Sequence, residues 1–245
     1  MSPHLTLATA GRILKQILRD TRTVALVIVA PLLIITLLYF LFDKEQPMVS
    51  GLMLYGIVIF PITLMFLLTA IATVRERISG TLERLMTTPI GRGDILGGYA
   101  LAFGLLATVQ VTLATTYCYT VLGMEVDGPT WAVFLAAMVA GQVGVAFGLL
   151  ASAVSQSEFQ AVQIFPALII PQLLLCGILG PRENMADWLK TISDYLPITY
   201  AAQAAFEMFG NTDPTELYWR SLAIAAGVVV GLLAIASATL KRRTS

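Results

Sequence analysis

The sequence predicts an all-α integral membrane protein: six transmembrane helices, an N-terminal amphipathic interfacial helix, and an extracellular helical hairpin between the fifth and sixth spans. Three observations carry this expectation. Of the 245 residues, 57% are hydrophobic and only 12% charged, with mean hydropathy +0.81; a soluble domain carries about 25% charged residues. Apolar runs of the roughly 20 residues that a spanning helix needs recur along the chain. Period-two alternation is absent, which excludes a membrane barrel. No internal repeat and no linker interrupts the pattern, so residues 1–245 read as one domain.

Residues 1–22 read as an interfacial helix. Ala10, Ile13, Leu14, Ile17, Leu18 and Thr21 share one side of a 3.6-residue helix, and Arg12, Lys15, Arg19 and Arg22 lie opposite. Such a helix places its cations near anionic lipid headgroups. No short apolar run ending in a cleavage site follows, so the segment does not read as a signal peptide. Span one is Thr23–Phe42, 20 uncharged residues containing Pro31. Span two lies within Met48–Val74, with Pro61 near its middle, and span three within Ile95–Met124. Span four lies within Thr130–Ser155 and carries a small-residue stripe, Gly141, Gly144, Gly148 and Ser152, suited to close packing against another helix of the same chain.

Span five, Phe159–Gly180, holds Pro166 and Pro171, so a straight helix is not expected. Residues 181–213 are too interrupted to span and read as a re-entrant or interfacial hairpin. Its first helix carries Met185, Trp188, Leu189 and Ile192 on one stripe, with Asn184 as cap. Its second helix runs Tyr200–Phe209 and ends at Gly210. Asp213-Pro214-Thr215-Glu216 reads as a helix start with Asp213 as N-cap. Span six, Ser221–Leu240, follows, with Gly227 and Gly231 in a GxxxG arrangement. Cys118 and Cys176 sit in apolar runs and read as small hydrophobes.

Counting Lys and Arg in alternate connections gives eleven on one side and four on the other. The positive-inside rule then places both termini and the connection after span two in the cytoplasm. That connection, Arg75 to Gly98, is where charge interrupts the apolar sequence for longest. An uncharged run of 29 residues ends at Val74 and another of 30 begins at Ile95. Ser79-Gly80 is expected to break the helix leaving the membrane, Thr81–Met86 to form a short helix, and Thr88-Pro89 with Gly91 and Gly93 to stop it. Asp94 reads as the N-cap of span three.

Glu76, Gly80-Thr81-Leu82-Glu83, Leu85, Thr88-Pro89-Ile90 and Asp94-Ile95-Leu96 together resemble the cytosolic loop of ABC type-2 exporter permeases, most closely the bacterial drug-resistance members such as daunorubicin exporters. The wider architecture and the Leu196-Pro197-Ile198-Thr199-Tyr200 element agree with that family. The resemblance implies a coupling helix at residues 75–94 that transmits motion from a separate ATPase. It implies ATPase-coupling roles for Arg75, Glu76, Arg77, Gly80, Thr81, Glu83, Arg84, Thr88 and Pro89. The turn after span four departs from the pattern, since it has no basic residue to make a second contact.

The chain has no GxxxxGK[ST] phosphate loop, no zinc-protease or GxSxG motif, and one histidine, His4. It is therefore expected to be no enzyme and to bind no cofactor or metal; ATP and Mg would sit on the partner ATPase. Its basic residues are too sparse outside the connections for a nucleic-acid groove. The span interiors hold no ionisable residue, which argues against a proton-driven pump. The partners implied by the resemblance are two ATPase subunits and a second copy or related permease, within a bacterial inner membrane. The implied function is export of a lipophilic or amphiphilic solute, a drug or lipid. Polysaccharide, lipid-linked glycan or sodium as solute, and a non-transporting scaffold, remain alternatives. Met65, Phe66, Gln163, Phe165 and Gln172 are the candidates for lining the pathway, the amides foremost, because an amide in hydrocarbon needs a partner.

Overall fold

The computed structural model describes residues 2–42, 47–80, 91–178, 180 and 182–239. Helices α1 (Pro3–Arg19), α2 (Thr21–Leu41), α3 (Pro47–Ile78), α4 (Arg92–Thr120) and α5 (Thr130–Val154) come first. Then follow α6 (Glu158–Leu168), α7 (Ile170–Leu175), a 3₁₀ turn (Arg182–Asn184), α8 (Asp187–Ser193), α9 (Pro197–Glu207) and α10 (Glu216–Thr239). Among the described residues there is no strand. Six segments are long and apolar enough to cross a membrane: α2, α3, α4, α5, the α6–α7 pair and α10. The chain is an all-α integral membrane protein.

The core forms around α5. Its most apolar 18 residues are 72% buried, against 17% for α2, for α6–α7 and for α10. The physical reason is the small-residue stripe. A Cβ on Gly144 would stand 2.3 Å from the Ile62 carbonyl oxygen, and one on Gly148 would stand 2.6 Å from that of Phe66. Only glycine lets the α3 backbone come so near, so the two helices bury a long shared seam through Val58, Ile62, Phe66, Val143 and Phe147. The stripe thus packs within one chain. Gly227 and Gly231 on α10 meet nothing within 4 Å.

Several helix ends differ from expectation, but not that of α3: it runs past Val74 to Ile78, its last turn held by the partners of Arg75, Glu76 and Arg77, and ends at the expected Ser79-Gly80 break. There Gly80 takes φ +72°, a left-handed conformation suited to glycine. Asp94 is not the N-cap of α4. Gly91 caps, and the Asp94 carboxylate reaches back from the third helical position to the Gly91 N–H at 3.1 Å. Nor does Asp213 cap α10: that helix starts at Glu216, and the Thr215 hydroxyl accepts the Tyr218 N–H at 3.2 Å. Ala186 rather than Asn184 precedes α8, since Arg182–Asn184 is spent in the 3₁₀ turn. Helix α9 starts at Pro197, earlier than Tyr200, with proline's fixed φ at the first turn. Thr21 opens α2 rather than extending α1, and Leu18 is exposed.

Span five runs as α6 and α7 joined through Ile169, which keeps helical φ −93° and ψ −43°, donates to the Phe165 carbonyl at 2.8 Å and accepts from the Leu173 N–H at 2.9 Å. Pro166 lies inside α6 and Pro171 opens α7, with Ile169 between them. At the end of the bundle away from Glu76, the two short helices are tied in. Ser193 donates to the Leu175 carbonyl at 2.7 Å and Tyr200 to the Asp194 carbonyl at 2.6 Å. Helix α9 is buried there against α3, α5 and α10. In α8, by contrast, Trp188 and Ile192 of the expected stripe are exposed.

Candidate functional site

The last turn of α3 carries Arg75, Glu76 and Arg77 in succession. Neighbouring residues on a helix point about 100° apart, so the three side chains leave in three directions. Each finds a different element. Arg75 makes a two-pronged pair with Glu158 at the start of α6, Nε to Oε1 at 2.8 Å and Nη2 to Oε2 at 2.9 Å. Glu76 accepts two bonds from Arg12 of α1, at 3.1 and 2.8 Å, and a third from the Tyr99 hydroxyl of α4. Arg77 donates to the Ala153 carbonyl at 3.3 Å and to that of Ser155, at the end of α5.

These ties are not equal. The Glu76 side chain is 7% exposed and that of Arg12 34%. Burial opposes the charge on Arg12, but the Glu76 hydrogen bond and carboxylate outweigh it and hold the guanidinium above its usual range. Arg75 and Glu158 are 63% and 40% exposed, so water screens that pair. Arg77 supplies positive charge to the carbonyl end of the α5 dipole.

Helix α1 is docked rather than free. Ala10, Ile13 and Ile17 are buried with Ile95, Tyr99 and Phe103 of α4. A Cβ on Gly98 would lie 2.6 Å from Thr9. The Asp94 carboxylate that holds the Gly91 N–H also accepts the Ser2 N–H at 2.7 Å and the Thr6 hydroxyl at 3.3 Å. Asp20 caps α2 through the Thr23 hydroxyl at 2.6 Å and N–H at 3.2 Å, bonds that hold its carboxyl below the usual value.

Of the residues expected to couple to an ATPase, Arg75, Glu76, Arg77 and Gly80 thus stand at the root of the connection. Thr81, Glu83, Arg84, Thr88 and Pro89 lie outside the described residues. Of the expected pathway residues, Met65 and Phe66 are fully buried, and Phe66 meets Phe165 of α6 with ring centroids 5.6 Å apart. Gln163 is exposed on α6. Gln172 is buried; its amide donates to the Leu168 carbonyl at 2.9 Å, while its Oε1 has no partner among the described residues. The sequence reading missed Arg12, Tyr99 and Glu158 as partners. The available signal was a lone carboxylate, Glu76, one turn beyond hydrocarbon and needing a counter-charge.

The docked N-terminal helix, the first five spans and the charged root of the α3–α4 connection fall within one family model, ABC-2 type transporter, which matches residues 4–209. The chain belongs to the ABC-2 type transporter family. The match runs from α1 through α9 and ends before α10. Among curated proteins it resembles ABC transporter G family member 20 of Dictyostelium discoideum, 29% identical over 166 residues, 68% of this chain and 22% of that one. It also resembles the probable multidrug ABC transporter permease YbhR of Escherichia coli, 26% identical over 156 residues, 64% of this chain and 42% of that one. A third relative is the inner membrane transport permease YhhJ of Escherichia coli, 25% identical over 157 residues, with coverage of 64% and 42%. The ABC-2 chain therefore spans less than half the length of these relatives.

Proposed function

We propose that this chain is the membrane-spanning subunit of an ATP-driven exporter that moves a lipophilic or amphiphilic solute, pairing with a separate ATPase. One observation supports this above the rest: four elements (α1, α4, α5 and α6) are fastened to the final turn of α3, immediately before residues 81–90. A force applied to that connection reaches the bundle through α3 and its ties at once, because short charge-assisted bonds resist displacement. Positive charge is concentrated at this end, which is the reason to assign it and the termini to the cytoplasm of a bacterial inner membrane.

In this reading two copies, or one copy with a related permease, sit over two ATPase subunits holding ATP and Mg. Closure of the ATPases pushes on Thr81, Glu83, Arg84, Thr88 and Pro89. Helix α3 moves with α1 through Arg12–Glu76 and draws α6 through Arg75–Glu158. Pro171, whose nitrogen can donate no helical bond, is the weak point between α6 and α7 at which α6 bends while α7 stays with the opposite end. Gln163, on the exposed face of α6, would meet the solute, and Gln172 would complete its bonding when α6 moves. The names of YbhR and its neighbour YbhS, both probable multidrug permeases, favour a lipophilic solute.

Co-purification of the tagged chain from its native membrane in mild detergent tests the reading. An accompanying ATPase whose turnover is lost in Glu83→Ala is the expected result. A chain that elutes alone would favour a scaffold or an ion-driven transporter.

A further inference from the structure

A groove of about 510 Å³ runs between α1, α2 and α3 at the Glu76 end. Its polar end is formed by Gln16, Asp20 and Arg75, and its walls include Leu26, Leu64 and Leu68. Leu64 lies eleven residues back from Arg75 on one helix, so the groove extends about 16 Å along α3. Its polarity is graded: charge of both signs at the level of α1, hydrocarbon further along. Helix α2, one of its walls, is among the least covered in the fold, so this flank of the groove is open within the single chain.

We infer that this groove binds one zwitterionic phospholipid from the adjoining leaflet, its acyl chain along Leu26 and Leu68 and its headgroup at Asp20 and Arg75. The gradient from charge to hydrocarbon matches a single lipid lying along α3, its headgroup at the level of Gln16 and Asp20 and one acyl chain beside Leu64 and Leu68. Charge complementarity chooses the headgroup. Arg75 gives two of its nitrogens to Glu158, and its Nη1 has no partner among the described residues and is available to a phosphate oxygen. The exposed Asp20 carboxylate suits an ammonium. The inference deepens the exporter reading and rests on it only for its consequence: a lipid held at Arg75 Nη1 shares the guanidinium with Glu158 and so adds to the tie between α3 and α6.

The test uses the purified full chain in detergent, without any ATPase. It is incubated with equimolar phosphatidylethanolamine and phosphatidylglycerol, washed, and weighed by native mass spectrometry. One retained phospholipid, preferentially phosphatidylethanolamine, is expected. Leu68→Trp, which fills the groove, should lower retention at least about tenfold, equivalent to about 1.4 kcal/mol. Val230→Trp, on an exposed face of α10, should leave it unchanged. No retained lipid, equal retention in Leu68→Trp, or no preference for the zwitterionic headgroup would overturn the inference. Binding needs no partner protein, so failure here leaves the co-purification result standing, and failure there leaves the groove standing.

Discussion

Glu76 is the residue on which the described end of the bundle depends. It is a buried carboxylate with three donors from two helices, and removing its charge leaves Arg12 half-buried without a counter-ion. Glu76→Gln is expected to destabilise the detergent-solubilised protein by about 1–3 kcal/mol, read by thermal unfolding. Arg12→Met combined with Glu76→Leu should lose less than the sum of the single changes, since no unpaired charge remains. Glu158→Gln breaks an exposed pair and should change stability by less than about 1 kcal/mol, more weakly still at high salt. The sequence showed Glu76 as significant and placed it next to the apolar run. It did not show Arg12 as its partner, because the pairing joins residues 64 apart and depends on where α1 docks. Helical periodicity gave α1 a cationic face, and lipid headgroups were an equally good destination for it.

Among the elements, the α3–α5 seam carries the core. Gly144→Ala and Gly148→Ala place a methyl against backbone, not against a side chain that can swing away, so each should lower the unfolding temperature, by about 1–3 kcal/mol in stability. Gly227→Ala meets open space on α10 and should cost nothing in the isolated chain. These contrasting outcomes separate two glycine patterns that look alike in sequence. All six spans were legible, because length and uniform apolarity are local properties. Helix starts were less so. Asp94 and Asp213 are good capping residues by type, yet Gly91 and Thr215 hold the capping positions, since the cap is chosen by where the chain turns and not by the best side chain nearby. Prolines 166 and 171 announced an interruption in span five but not that Ile169 keeps helical φ and ψ between its two helices.

For the whole molecule, the ties place the starts of α1, α4 and α6 at one end, and α9 with the 124–129 turn at the other. Single cysteines test the assignment of these ends to the two faces of the membrane. Cys118 and Cys176 are buried and should stay silent to an impermeant maleimide in sealed cells. On the proposed orientation, Gln156→Cys should react only after permeabilisation, and Tyr195→Cys, on an exposed segment at the other end of the bundle, should react without it. The candidate site was only partly legible at this scale. The sequence located the connection, but its attachment to four other elements is a property of the packed bundle. The most direct measurement of the central claim is solute transport and ATPase turnover, side by side, in proteoliposomes holding the complex with Gly80→Pro or Glu83→Ala. The coupling account predicts transport lost in both with insertion unchanged, and with the unfolding temperature unchanged in Glu83→Ala; Gly80→Pro, which cannot hold φ +72°, also disturbs the end of α3. Transport at the unmodified rate in either variant would contradict it.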